Sequence, residues 1–187
     1  MMRLFVAIKI PEDIRDELVA VEGKLAGIYR ARWVKRDNIH LTLKFLGEVE
    51  EKRLGDTAKI VSEISKDNPG FDLNLENIGG FPNLKRPRVL WVGVQRGEKN
   101  TVCLMEQLEK NFARLGIKPE KREKNPHITL GRVKGPTRSS DKKGRDGVNK
   151  LTYKSRVFRA DAISLIKSEL TPRGAIHTVL ERYALQQ

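Results

Sequence analysis

Asn38-Ile39-His40-Leu41-Thr42-Leu43-Lys44-Phe45 and, further along the chain, Pro126-His127-Ile128-Thr129-Leu130-Gly131-Arg132 carry one motif twice. His127 stands 87 residues after His40, and each histidine opens the word His-x-Thr-Leu. In an extended chain successive side chains alternate faces, so His40, Thr42 and Lys44 share one side while Ile39, Leu41, Leu43 and Phe45 share the other. The second stretch divides the same way, with His127 and Thr129 opposite Ile128 and Leu130. Each stretch therefore reads as a strand with an apolar back and a polar front.

The segments leading into each strand repeat as well. An apolar run over 4–10 and a helix over 12–26 lead to the first histidine strand at 38–46. Pro11, Glu12 and Asp13 open that helix, Ile14, Leu18, Val21 and Leu25 fall at helical spacing, and Gly27 marks its stop. A strand over 88–94 and a helix over 99–115, on Met105, Leu108, Phe112 and Leu115, lead to the second histidine strand at 126–133. The offset is close to 87 residues throughout. A further helix is predicted over 52–65, ended by Asn68-Pro69-Gly70, with strands over 71–78, 157–167 and 175–183. The pattern predicts an α+β fold: one bilobal domain over 1–187, in which duplicated β-α-β units at 3–47 and 88–133 form two similar lobes. Their antiparallel sheets face a central cleft, with helices outside.

The chain carries 37 Lys and Arg against 24 Asp and Glu, a formal net charge of +13, which points to a polyanionic partner. The loop over 134–150, with six Lys or Arg, two Asp and several Gly, Pro and Ser, suits a basic flap against RNA backbone. Cys103 is the single cysteine, so no disulfide framework is available. No apolar run reaches the length of a membrane span, and the 4–10 run is too short for a signal peptide, so a cytoplasmic protein without a membrane partner is expected.

Two histidines in matching settings suit displacement at phosphorus. One imidazole takes a proton from the attacking hydroxyl or water, and the other gives one to the leaving oxygen. A threonine two residues along can donate its hydroxyl to a non-bridging phosphate oxygen, and Lys44, on the His40 face, is expected to add positive charge. No cluster of His, Cys and carboxylate at ligand spacing accompanies either strand, so neither a metal nor another cofactor is expected. His177, in Ile176-His177-Thr178, lacks the spacing and reads as structural.

At these strands the chain resembles the two-histidine phosphoesterases, and within them the RNA 2′,3′-cyclic phosphodiesterase or 2′-5′ RNA ligase family. The likeness extends to Arg3-Leu4-Phe5-Val6-Ala7-Ile8, Arg32-Trp33-Val34, Phe81-Pro82 and Pro87-Arg88-Val89-Leu90-Trp91-Val92-Gly93. It implies a pseudo-twofold cleft in which His127 is the base that activates water and His40 the acid that protonates the departing 3′-oxygen. Thr42 and Thr129 would hold the phosphate. Arg132 matches an arginine that tends to follow the second motif, although strict alternation turns it from the His127 face unless Gly131 permits a bulge. The implied reaction opens RNA 2′,3′-cyclic phosphate ends to 2′-phosphates, with ATP-independent 2′-5′ ligation when a 5′-hydroxyl replaces water. No Gly-x-x-x-x-Gly-Lys loop is present, and Lys143-Gly144-Arg145-Asp146-Gly147 matches the Lys-x-Asp-Gly word of nucleotidyl-transferring ligases only with one residue too many. The expected partner is RNA, tRNA or its fragments, and the expected state a monomer. Two alternatives stand beside this: a basic RNA-binding module without catalysis, and a two-histidine enzyme acting on 2′-5′ oligonucleotides or small cyclic nucleotides.

Overall fold

The computed structural model describes residues 1–120, 123–134, 147 and 150–187. Most of the basic loop, with its Lys-x-Asp-Gly-like word, lies outside the described residues. Ten strands and three α-helices follow one another along the described chain: β1 (Met2–Lys9), α1 (Glu12–Ala26), β2 (Ala31–Trp33), β3 (His40–Val49), α2 (Leu54–Lys66), β4 (Phe71–Leu73), β5 (Leu75–Phe81), β6 (Val89–Val94), α3 (Glu98–Arg114), β7 (His127–Val133), β8 (Phe158–Ala160), β9 (Ala162–Thr171) and β10 (Gly174–Ala184). None of the helices is long and apolar enough to cross a membrane.

Two four-stranded antiparallel sheets, ordered β10-β9-β1-β3 and β2-β7-β6-β5, carry the two histidine strands. Their back faces merge into one core. Leu4, Val6, Ile8, Leu41 and Leu43 from the first sheet join Leu90, Val92, Ile128 and Leu130 from the second, and the helices close over them with Leu18 and Leu25, Val61 and Ile64, and Leu104, Leu108 and Phe112. Burial of this apolar surface is the main force holding the two repeats together. On the front of the first sheet a smaller apolar cluster, Phe5, Ala7 and Ile166, underlies His40.

The two halves of the chain correspond, but not at one uniform offset. Histidine strands and helices repeat near 87 residues, whereas the central strands repeat at 84: Lys9 pairs with His40 and Gly93 with His127, and Ala7 with Thr42 and Trp91 with Thr129. The longer connection from β6 to α3 takes up the difference. Strands expected as single runs are broken. Between β4 and β5, Asn74 turns the chain and its side chain accepts the Arg96 amide at 2.8 Å; Asp161 separates β8 from β9. The segment before the first histidine strand supplies the unforeseen β2, which leaves its own repeat and pairs antiparallel with β7 in the other sheet.

Gly79 in β5 lies opposite Trp91, and the indole lies across it so closely that a Cβ there would overlap the ring. Gly79→Ala is therefore expected to displace Trp91 and to cost about 1–3 kcal/mol through overpacking. Denaturant unfolding followed by tryptophan emission checks this; an unchanged midpoint and spectrum would show that the indole has another seat.

Candidate active site

Both histidines sit at the first position of their strands, and both rings are held alike. His40 Nδ1 lies 2.6 Å from the carbonyl oxygen of Asn38, and His127 Nδ1 lies 2.6 Å from that of Asn125. A carbonyl oxygen can only accept, so Nδ1 carries the hydrogen in each ring. Nε2 is then the atom left for chemistry, a base when the ring is neutral and an acid when it is charged. Rings pack around each imidazole: Phe5 at 4.7 Å from His40 between centroids, and Phe81 at 5.0 Å and Trp91 at 6.0 Å from His127.

The strands are not regular beyond the threonines. In β3 the ladder with β1 slips between Thr42 and Lys44, leaving Leu43 without a partner. In β7 the ladder with β6 slips between Thr129 and Gly131, leaving Leu130 without one. Leu43 and Leu130 are equivalent positions, so the same bulge occurs in both copies. A bulge reverses the facing of the residues beyond it. Lys44 is accordingly turned off the His40 face, which corrects the expectation from simple alternation. It is 5% exposed and pairs with Glu109 of α3 at 2.7 Å, while Lys124 holds the other carboxylate oxygen, also at 2.7 Å. Burial alone would raise the Glu109 carboxyl, but hydrogen bonds from Lys124 and Lys44 outweigh it and hold it below its ordinary range. Lys44 therefore ties the first repeat's strand to the second repeat's helix.

Phe45 takes the place on the front that alternation gives to Lys44. It pairs with Phe5, whose ring it approaches at 5.9 Å, and is 59% exposed. Its counterpart is Arg132, which pairs with Val89, two residues from Trp91 on the same side of β6. Residues directly opposite in an antiparallel pair share a face, so Arg132 stands on the front with His127 and Thr129.

His177, read from its spacing as structural, lies against His40. Its ring lies 5.2 Å from that of His40 and 5.0 Å from Phe5, edge-on to both. Pairing of β10 with β9 brings it there, with His177 opposite Ser168. Lys9, Arg15, Asp37 and Val179 help to line the pocket that His40 and His177 share. Among the described residues, no three His, Cys, Asp or Glu side chains converge as a metal site would need.

Burial pushes the His40 imidazole down to about 4, against the opposing pull of the Asn38 carbonyl and with a further push from His177. Burial also lowers His127, opposed by the Asn125 carbonyl. Both rings are therefore neutral at pH 7 in the free protein. Between pH 4 and 6.5 the unfolded chain binds a proton that folded His40 refuses, so His40 makes stability rise with pH across that window. An anion on the front face favours the charged ring and reverses the shift. NMR titration of the imidazole nitrogens is expected to place His40 near 4 and to move it upward when inorganic phosphate is added; a value of 6.5 or above in the free protein would contradict the burial argument.

A family model described as "LigT like Phosphoesterase" matches residues 8–91 and again residues 93–177, so that each match takes in one histidine strand. A Methanocaldococcus jannaschii protein named RNA 2′,3′-cyclic phosphodiesterase is 37% identical over 97% of this chain and 100% of its own length. One of the same name from Aquifex aeolicus is 34% identical over 98% of this chain and 97% of its own. Among solved structures, E. coli LigT complexed with 3′-AMP superposes with a TM-score of 0.78 at 29% identity, covering 100% of this chain and 99% of that one. A Thermus thermophilus structure superposes at 0.82, also at 29% identity, over 99% of this chain and 98% of that one. With both repeats matched and the match running through nearly the whole chain, this protein belongs to the LigT-like phosphoesterase family.

Proposed function

We propose that the protein hydrolyses RNA 2′,3′-cyclic phosphate ends to 2′-phosphates by acid–base catalysis between His127 and His40. The observation that carries this reading is the pair of locked imidazoles, each with Nδ1 committed to a carbonyl and a threonine two residues on. The names of the relatives support the substrate, and the relative crystallised with 3′-AMP supports a ligand of nucleotide size.

In this mechanism Nε2 of neutral His127 takes a proton from water as its oxygen bonds to phosphorus. The P–O3′ bond breaks on the opposite side, and protonated His40 gives its Nε2 proton to the departing O3′. The substrate's own negative charge raises His40 into its acid form on binding. Hydroxyls of Thr42 and Thr129, with the Arg132 guanidinium, stabilise charge on the non-bridging oxygens. Phe45 offers an exposed ring on which the terminal base can stack. Near-symmetry does not by itself decide which imidazole is the acid. That assignment rests on the family resemblance, and the different neighbours, His177 beside His40 and Trp91 beside His127, give the two rings different surroundings. A 5′-hydroxyl in place of water gives 2′-5′ ligation by the same steps without ATP. A monomer acting on tRNA-derived ends in the cytoplasm is the biological form of this proposal.

His40→Ala and His127→Ala are each expected to reduce turnover of a 2′,3′-cyclic phosphate end by about 10²–10⁴-fold, with a 2′-phosphate as the wild-type product and no response to EDTA. A 3′-phosphate product, or activity lost to chelator and restored by zinc, would sink the mechanism. RNA binding by wild type with no turnover would favour the plain binding module.

A further inference from the structure

Arg32 lies directly opposite Arg132 in the β2–β7 ladder. Facing side chains of like charge in an antiparallel pair repel, so such a pair is an unusual choice unless an anion completes it. The two guanidinium groups share a face, since Trp33 and Gly131, the next pair along, turn to the core side, where a Cβ on Gly131 would meet the Trp33 ring. Arg32 thus projects to the front with Arg132. The other sheet gives the same direction. A Cβ on Gly174, at the start of β10, would lie 3.3 Å from the Arg32 guanidinium and 3.7 Å from Cε of Lys35.

Ion pairs among the described residues leave both arginines out. Asp37, a carboxylate in the nearby β2–β3 connection, is engaged by Arg15 at 3.3 Å and Arg36 at 3.4 Å. The backbone beneath Arg32 is fixed: Val34 N donates to Leu130 O at 2.8 Å, and Lys134 N to Arg30 O at 2.7 Å. Asn38 donates to the Ala175 carbonyl at 2.7 Å, holding the start of β10 beside this cluster. Two guanidinium groups are therefore presented at the end of the front face beyond Thr129, Arg132 on the histidine strand and Arg32 on its outer neighbour β2, with Lys35 near Arg32.

We propose that Arg32, with Arg132 beside it and Lys35 behind it, is an anion subsite for the internucleotide phosphate on the 5′ side of the terminal ribose. The preferred substrate is then an RNA strand of two or more nucleotides and not a cyclic mononucleotide. The inference rests on the proposed function and deepens it: the reacting phosphate sits between the histidines within reach of Arg132, and the neighbouring phosphodiester sits on Arg32, where a charge-assisted, forked contact is available.

The test compares kcat/KM for a cyclic mononucleotide, a short RNA with a cyclic end, and the same RNA with an uncharged methylphosphonate at the linkage next to that end. Arg32→Gln is expected to lower the ratio of RNA to mononucleotide turnover about tenfold, as loss of a hydrogen bond to a charged group does, with Arg32→Lys recovering part of it. Methylphosphonate is expected to slow wild type by a similar factor and Arg32→Gln no further. A ratio unchanged by Arg32→Gln, or methylphosphonate losses that simply multiply with the mutation, would overturn the subsite. Should wild type turn over none of the three, the proposed function fails, and the subsite is decided by anisotropy with a labelled single-stranded RNA. There Arg32→Gln is expected to reduce the salt slope by about 0.7, one released counterion's worth, and an unchanged slope would overturn it.

Discussion

A backbone carbonyl two residues upstream of each histidine sets the terms of the site. By accepting the Nδ1 hydrogen, the oxygens of Asn38 and Asn125 fix the tautomer and the tilt of both rings at once. No carboxylate is spent on this task. That choice matters electrostatically, since a carboxylate partner would favour the charged ring, whereas a neutral carbonyl leaves burial free to keep both imidazoles uncharged until an anion arrives. Placing each histidine at the first position of its strand makes the arrangement available, because the turn before the strand leaves a carbonyl free of the ladder.

The paired bulges then separate what the duplication made alike. Each comes just after its threonine and reverses the facing of the next residues. A chain that alternates normally up to the threonine thereby presents Phe45 on one lobe and Arg132 on the other. An aromatic ring and a guanidinium at equivalent places give a two-fold scaffold a direction. Lys44, the residue turned away by the first bulge, becomes the link to Glu109 that ties the repeats together behind the face that alternation assigns it.

Features written in local sequence are the legible ones. The helices follow from spacings such as Ile14, Leu18, Val21 and Leu25, all of which are buried. The histidines and threonines follow from a word of four residues, repeated. Legibility fails where one residue's position depends on a distant partner. Period two misplaces Lys44 because it presumes an unbroken ladder, and the slip that breaks it is a property of the pairing with β1. The facing of Arg132 is open in the sequence for the same reason. His177 reaches His40 only because β10 pairs with β9 and β9 with β1, a path across the whole chain that no spacing rule encodes. The exchange of β2 into the other sheet is equally unreadable, since Arg32-Trp33 carries no mark of its partner.

That exchange has a mechanical consequence. Each sheet is built from both halves of the chain: β2 crosses from the first repeat into the second sheet, and β9 and β10 return from beyond the second repeat to finish the first. Opening the two halves like a hinge would strip β2 from β7 or draw apart a core that both sheets share. The two histidine-bearing faces are thus held in one fixed relation by the route of the chain itself. Whatever binds across them meets a surface set before it arrives.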